Sequence, residues 1–250
     1  MNRQKYSRHI SKLFRILSPT LLFVLLLPSH LLAEPSSFQV SVHFPSGENK
    51  GKPLRTSGGG KRGNSLCLKL DPDKPTLTAL MPTRDNKSFT TSKQPNFYFY
   101  VPPTSAQTGE FILRNKEEED IVQASFKLPK QPGIVKLQIP PTVALETGES
   151  YKWYFTIVCN KNDRSADEYT EGTIERKVIS PSVNKALQES PPLRQANIYA
   201  KYYMWSETIT NVLQIRQEKP NQWKELMESV GLEIIADEPV VPITELSQQI

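Results

Sequence analysis

The stretch SYKWYFTIVC, from Ser150 to Cys159, constrains the fold of this chain more than any other segment. Every second residue from Tyr151 to Cys159 is apolar, and a period of two is that of a β-strand with one buried face. Trp153 lies in the middle of that face. Because a single sheet would leave such a face open to water, a second layer of structure must cover it.

The same period of two recurs through the region from Phe38 to Ile179. Its apolar positions form three further sets, which are Phe38, Val40, Val42 and Phe44; Val122, Ala124, Phe126 and Leu128; and Val135, Leu137 and Ile139. Proline and glycine turn signals separate these sets at short intervals. About eight strands without a helical pattern between them predict a mainly β fold. We expect an antiparallel β-sandwich over residues 34–180, either immunoglobulin-like or jelly-roll-like.

The segment PNFYFYVPP carries aromatic residues on both faces of a predicted strand. Phe97 and Phe99 alternate with Tyr98 and Tyr100, so burial of one face leaves the tyrosine pair on the other. Core packing covers both faces in the first interpretation. In the second, the tyrosines form an exposed stacking platform for a sugar or a partner.

After Ile179 the apolar period changes from two to that of a helix. Its apolar stripe consists of Ile198, Tyr202, Trp205, Ile209 and Val212. Pro181, Pro191 and Pro192 indicate a linker before it, and a second helix is predicted after Pro220. We therefore predict a helical hairpin over residues 181–235 and an extended tail over 236–250. The apolar face of the hairpin must pack on the sandwich or on another chain.

The N-terminus has the pattern of a secretory signal peptide over residues 1–33. Five basic residues precede an uncharged stretch from Ile16 to Leu27, and Ala33 is a suitable residue before cleavage. The uncharged stretch is shorter than the roughly 20 apolar residues that span a bilayer. The predicted mature protein is extracytoplasmic, in the periplasm or secreted, and has no stable membrane span.

Loss of this segment would leave the mature chain electrically neutral. The whole chain has 31 Lys and Arg against 26 Asp and Glu, and the five basic residues of the predicted signal equal that excess. A nucleic-acid-binding function therefore lacks the positive charge that it would require.

Cys67 and Cys159 are the two cysteines, and in an exported chain they predict one disulfide. Two free buried thiols are the alternative. On a regular strand in LCLKL, Cys67 would point away from the leucine face. Either Cys67 precedes the strand, or the disulfide does not form.

The glycine-rich segment RTSGGGKRGNSLC does not fit a phosphate-binding loop. A P-loop needs Ser or Thr after its Gly-Lys pair, whereas Arg62 follows Lys61, and strand-like sequence follows where a helix is required. We interpret the segment as a connector that uses glycine for unusual backbone angles.

Few side chains suit catalysis or metal binding. His43 is the one histidine outside the predicted signal, so neither a histidine-rich metal site nor a usual serine triad is expected. In CNKNDRSADEYTEG the EF-hand pattern fails, because Arg164 and Ser165 stand where a ligand and a glycine are needed. Two interpretations remain for this segment. Asp163 or Asp167 pairs with Arg164 in a rigid turn, or the segment binds a ligand.

Several segments, taken in order, resemble an uncharacterised and mainly cyanobacterial family known as domain of unknown function 928. They are TSGGGKRG, LTALMP, PNFYFYVP, GEFIL, YKWYFTIVCNKNDRSAD, EGTIER and IYAKYYMW. The resemblance extends from about Gly47 to Val230. It implies a signal, a β-rich region and a helical C-terminus, and it implies no activity.

Together these features favour a non-enzymatic binding or adapter module of the cell envelope, with no cofactor and with an envelope protein or glycan as partner. An envelope glycan hydrolase that uses carboxylates near Arg164, or a carbohydrate-binding module, is the alternative. A Cys67–Cys159 bond would bring the glycine-rich loop beside the Arg164 turn. The candidate ligand or partner surface is then formed by Arg62, Asp163, Arg164, Ser165 and Asp167.

Overall fold

A computed structural model describes residues 41–45, 67–69, 71–82 and 85–249 of the chain. The predicted signal peptide and the glycine-rich loop with Arg62 lie outside these residues. The described part contains nine strands: β1 (Thr78–Ala79), β2 (Lys87–Thr90), β3 (Asn96–Val101), β4 (Thr108–Arg114), β5 (Asp120–Lys127), β6 (Gly133–Gln138), β7 (Ser150–Val158), β8 (Glu168–Arg176) and β9 (Thr244–Gln249). Its α-helices are α1 (Pro181–Gln188), α2 (Pro192–Lys201), α3 (Trp205–Gln214) and α4 (Pro220–Ser229).

The strands form two sheets, as the alternation of apolar residues predicts. The smaller sheet has the order β1-β3-β6, and the larger has the order β2-β8-β7-β4-β5-β9. Neighbouring strands within each sheet are antiparallel except β2 and β8, which are parallel. The prediction of a mainly β, sandwich-like fold followed by helices is confirmed.

Aromatic side chains fill the space between the two sheets. Phe99 of β3 stacks on Phe155 of β7 with ring centroids 4.2 Å apart, and its ring lies 5.5 Å from that of Trp153. Phe97 meets Phe111 of β4 at 5.0 Å. The predicted apolar face of β7 is therefore the centre of the core, and aromatic pairs of this geometry add to the stabilisation from burial.

Strand β3 is covered on both faces, which decides between the two interpretations of its tyrosines. Tyr98 and Tyr100 are only 2% and 1% exposed. The Tyr98 hydroxyl lies 3.0 Å from Oγ1 of Thr210 on α3, so helix packing covers the face opposite the phenylalanines. The interpretation of these two tyrosines as an exposed stacking platform for a sugar is therefore wrong.

The helical region contains four α-helices rather than a hairpin of two. Pro181, Pro192 and Pro220 begin three of them, at a position where the missing N–H of proline costs no hydrogen bond. The predicted continuous stripe from Ile198 to Val212 breaks between α2 and α3, where Tyr203 adopts a left-handed φ of 62°. The interpretation of residues 181–192 as a linker is therefore replaced by α1 and the start of α2.

The break between α2 and α3 directs their side chains differently. Trp205 is buried, and its indole Nε1 donates a hydrogen bond of 2.7 Å to the carbonyl oxygen of Leu80. Tyr202, which the uninterrupted stripe would have placed beside it, is 46% exposed. The helices thus pack on the sandwich through Trp205, and Tyr202 lies at the surface.

Two predicted extended segments differ from expectation in their partners. Residues 41–45 form no strand; instead, Val42 N–H donates to Gln222 Oε1 at 3.1 Å and Phe44 N–H donates to Ser229 Oγ at 3.2 Å. The predicted tail over 236–250 contains β9, which pairs with β5 and completes one edge of the larger sheet.

Substitution Tyr100→Phe is expected to change the alkaline limit of stability. Burial, with a smaller contribution from Glu238 and Asp71, raises the pKa of the Tyr100 phenol to about 12. Since the unfolded phenol ionises near pH 10, the unfolded chain loses its proton first and folding stability falls between about pH 10 and about pH 12. The loss is on the order of 2 kcal/mol. Urea unfolding of both proteins at increasing pH measures it.

The Tyr100→Phe protein should lack this part of the alkaline loss. Tyr202→Phe is the matched control, because it removes the hydroxyl of a tyrosine that is 46% exposed. Parallel profiles for the native and Tyr100→Phe proteins up to pH 12 would contradict the prediction.

Candidate functional site

Cys67 and Cys159 are joined by a disulfide, with their Cα atoms 5.3 Å apart. Cys67 lies just before Leu68, whose backbone forms an isolated antiparallel bridge with Thr104. The carbonyl oxygen of Cys67 accepts hydrogen bonds from Thr104 Oγ1 and from the Ser105 N–H, each of 2.9 Å. Of the two sequence-based alternatives, the structure therefore has Cys67 ahead of the strand-like contact and paired with Cys159.

The segment that follows Cys159 is a tight turn held by its own side chains. Asp163 caps a short 3-10 helix, Arg164–Ala166, because its Oδ1 accepts from the Ser165 N–H at 3.1 Å and from the Ser165 hydroxyl. Aspartate suits this position because its short side chain reaches the free backbone donors of the first turn.

Arg164 holds two carboxylates at once. Its Nη1 and Nη2 donate to the two carboxylate oxygens of Glu110 on β4, at 3.3 and 2.6 Å, and its Nε donates to Asp167 Oδ2. The other oxygen of Asp167 accepts from the Cys159 N–H at 3.0 Å. The hydrogen bond to Glu110, and to a smaller extent the one to Asp167, raises the pKa of the Arg164 guanidinium. These contacts occupy all three guanidinium nitrogens of Arg164.

The structure brings together four of the five residues of the predicted surface. Asp163, Arg164, Ser165 and Asp167 lie in one turn beside the disulfide, and Arg62 lies outside the described residues. The sequence did not indicate Glu110 as a member of this site. Glu110 lies on β4, and only the pairing of β4 with β7, in which it is opposite Thr156, brings it there. Because these carboxylates and the guanidinium bind one another, the geometry favours the rigid-turn interpretation.

The carboxylates of this turn do not form a pair directed at an open site. Glu110 and Asp167 both face Arg164, and the Asp167 side chain is only 7% exposed. Among the described residues, no group of three or more His, Cys, Asp or Glu side chains is arranged to hold a metal ion.

Asp167→Ala is expected to lower the free energy of unfolding by about 1–3 kcal/mol, because it leaves the Cys159 N–H and the Arg164 Nε without their acceptor. The matched control is Asp163→Asn, which keeps a capping oxygen in an exposed position and should change stability by less than about 0.5 kcal/mol. Urea unfolding monitored by tryptophan fluorescence gives both values. Equal effects of the two substitutions would show that Asp167 does not anchor the turn.

A second surface lies on the helices, in a groove of about 760 Å³ beside α1 and α2. Its apolar part is formed by Val183 and Ala186 of α1 together with Leu193 and Ile198 of α2. The Tyr202 ring lies at the end of α2 and also lines the groove. The sequence did not indicate this surface, because the prolines around α1 favoured a linker.

The groove carries positive charge without acidic neighbours in its lining. Arg194 and Lys201 are both exposed and both line it, and none of the lining residues is Asp or Glu. Within the described part of the chain, neither cation takes part in a salt bridge. The two charges are therefore available to a partner.

Two adjacent exposed tyrosines follow the last residue of α2, and the first of them, Tyr202, lines the groove. Tyr202 is 46% exposed and Tyr203 is 50% exposed. A left-handed φ is unfavourable for a bulky residue such as Tyr203, and such conformations occur mostly where the surrounding structure or a function requires them. Here the conformation ends α2 and allows α3 to start in a new direction.

The fold and these surfaces define a class of protein: a disulfide-bonded, mainly β protein with a packed helical C-terminal region. Residues 57–240 match the family described as Domain of Unknown Function (DUF928), and the chain belongs to that family. No curated protein matches the chain significantly. Within the described residues, no helix has the length and apolar character needed to cross a bilayer.

Proposed function

We propose that the protein is an exported, non-enzymatic binding or adapter module of the cell envelope. The observation that carries the binding role is the open groove of α1 and α2, where apolar side chains lie beside two cations that form no salt bridge with any described residue. Ligand and partner sites commonly combine an apolar lining with a few polar groups that fix orientation. The groove has that composition, whereas the Arg164 turn uses its polar groups internally.

The proposed location rests on the disulfide and on the N-terminal sequence. A disulfide is compatible with an oxidising compartment such as the periplasm or the exterior. The pattern of residues 1–33, with basic residues before a short apolar stretch, supports export through a cleaved signal peptide. The proposal includes a cyanobacterial source, which the resemblance to the mainly cyanobacterial family implies.

Site-specific cross-linking in the native cells tests the binding role. A photoreactive phenylalanine analogue replaces Tyr202 in the full chain, and a second variant carries it at exposed Lys130, which is not part of the groove lining. We expect cross-linked products at position 202 and few at position 130. Equal yields at the two positions, or none at either, would contradict a binding role for the groove.

Cell fractionation of the same strains tests the location. We expect the chain in the extracytoplasmic fraction, without residues 1–33 and with both cysteines protected from alkylation until reductant is added. A cytoplasmic chain with two reactive thiols would contradict export.

A further inference from the structure

The two helices that line the groove are long enough to accompany a short partner helix. Helix α1 has eight residues and α2 has ten, which corresponds to lengths of about 12 and 15 Å at 1.5 Å per residue. A partner helix of two to three turns would extend along this distance. Its apolar positions, at i, i+4 and i+7, would then face Val183, Leu193 and Ile198.

The positive charge of the groove favours an occupant with negative charge. Arg194 and Lys201 line the groove, and Lys185 lies exposed in the last turn of α1. The nearest acidic residue along the chain, Glu189, follows α1 and is not part of the lining. Two or three cations on an apolar groove are complemented by an occupant with acidic side chains beside its apolar stripe.

The segments of this chain outside the described residues have the wrong charge to fill the groove. Residues 1–40 contain five Lys or Arg and one Glu, and residues 46–66 contain the same numbers. Both segments are cationic, so the groove would repel them. A flat bilayer surface also fits a concave groove poorly, because its headgroups cannot follow the depression.

We propose that the α1–α2 groove binds an acidic amphipathic helix of a partner protein. This inference rests on the proposed binding function and adds the chemistry of the partner. The apolar stripe of the partner helix lies on Val183, Leu193 and Ile198, and its carboxylates pair with Arg194 and Lys201.

The test uses full-length mature protein and a defined probe. The probe is a fluorescent helical peptide of about 14 residues, whose central two to three turns carry leucine at i, i+4 and i+7 and glutamate at the flanking positions. Fluorescence anisotropy measures its binding to the native protein, to the double variant R194E/K201E and to K130E. The double reversal is expected to weaken binding at least about tenfold, whereas K130E, at an exposed lysine away from the groove, should bind like the native protein.

A charge-swapped peptide with lysine in place of glutamate completes the experiment. It should bind R194E/K201E better than it binds the native protein, which a misfolded variant could not do. Unchanged circular dichroism and unfolding midpoint of the variant confirm that both substitutions leave the fold intact.

Three outcomes would overturn the inference. They are equal affinity of the native and R194E/K201E proteins for the acidic peptide; binding to phosphatidylglycerol vesicles but not to the peptide; and self-association of the native protein that R194E/K201E abolishes. Loss of cross-linking at position 202 in cells would instead refute the proposed function. Persistent cross-linking without peptide binding would refute only the acidic-helix inference.

Discussion

Removal of the disulfide by the double substitution Cys67→Ala and Cys159→Ala is expected to lower the free energy of unfolding by about 4–5 kcal/mol. The bond joins residues 92 positions apart, and the chain-entropy model gives this value for a closed loop of that length. The loss is a large part of the 5–15 kcal/mol that stabilises a typical domain. Urea unfolding of the oxidised protein and the variant at neutral pH measures the difference.

The dependence on urea concentration separates the cause of this loss from a packing defect. An unfolded chain without the cross-link exposes more surface, so the m-value of the variant should exceed that of the oxidised protein. Reductant should move the native protein to the midpoint of the variant and should leave the variant unchanged. A midpoint of the native protein that does not respond to reductant would show that the bond contributes little.

Substitution Trp205→Ala has the second large expected effect, a loss of about 3–5 kcal/mol in the free energy of unfolding. The indole is 2% exposed, meets the Phe44 ring at 5.0 Å and donates to the Leu80 carbonyl oxygen. Its removal leaves a cavity between the helices and the sandwich and a buried acceptor without a donor. Thermal or urea unfolding of the full chain measures the loss.

Two controls divide the effect of Trp205 into its parts. Trp205→Phe keeps most of the ring but removes the donor to Leu80, and about 1–3 kcal/mol is expected for that change. Tyr202→Ala, three residues away at the surface, should change stability by less than about 0.5 kcal/mol. If Trp205→Ala unfolds no more easily than Tyr202→Ala, the helices do not contribute to a shared core.

The predictable parts of the fold are those in which local pattern and burial coincide. The alternation in β7 indicated which residues lie in the core, because a half-buried strand must present one apolar face. Tyr151, Trp153 and Phe155 are buried as that rule requires. The rigid turn after Cys159 was also foreseeable, since Asp163 and Arg164 are local partners of Ser165 and Asp167.

The parts that could not be predicted depend on tertiary contacts or on ambiguous residues. Proline ends a helix in its interior but also suits its first turn, and here Pro181 and Pro192 have the second role. The predicted helical stripe continued past Tyr203, because a left-handed φ at a tyrosine, unlike one at a glycine, gives no signal in the sequence. Gly172 lies opposite Trp153 in the pairing of β7 with β8, and a Cβ there would lie 2.3 Å from the Trp153 ring. The sequence did not indicate this close approach, because it depends on how the two strands pair.

The candidate site shows the same division. Arg164 was predicted from its segment, but its bidentate partner Glu110 lies 54 residues earlier and becomes a neighbour only through the pairing of β4 with β7. The helical groove was missed because its cations and apolar residues are unremarkable in sequence. They form a surface only through the packing of α1 with α2, which brings residues of both helices to one groove.

The contact of residues 41–45 with α4 has a consequence for the order in which the chain folds. The hydrogen bonds of Val42 and Phe44 join residues 180 and 185 positions apart. Contacts this distant along the chain form slowly, because a long loop must close before they stabilise anything. A ribosome adding roughly 5–20 residues per second must therefore synthesise α4, nearly the whole chain, before Val42 and Phe44 can find their partners.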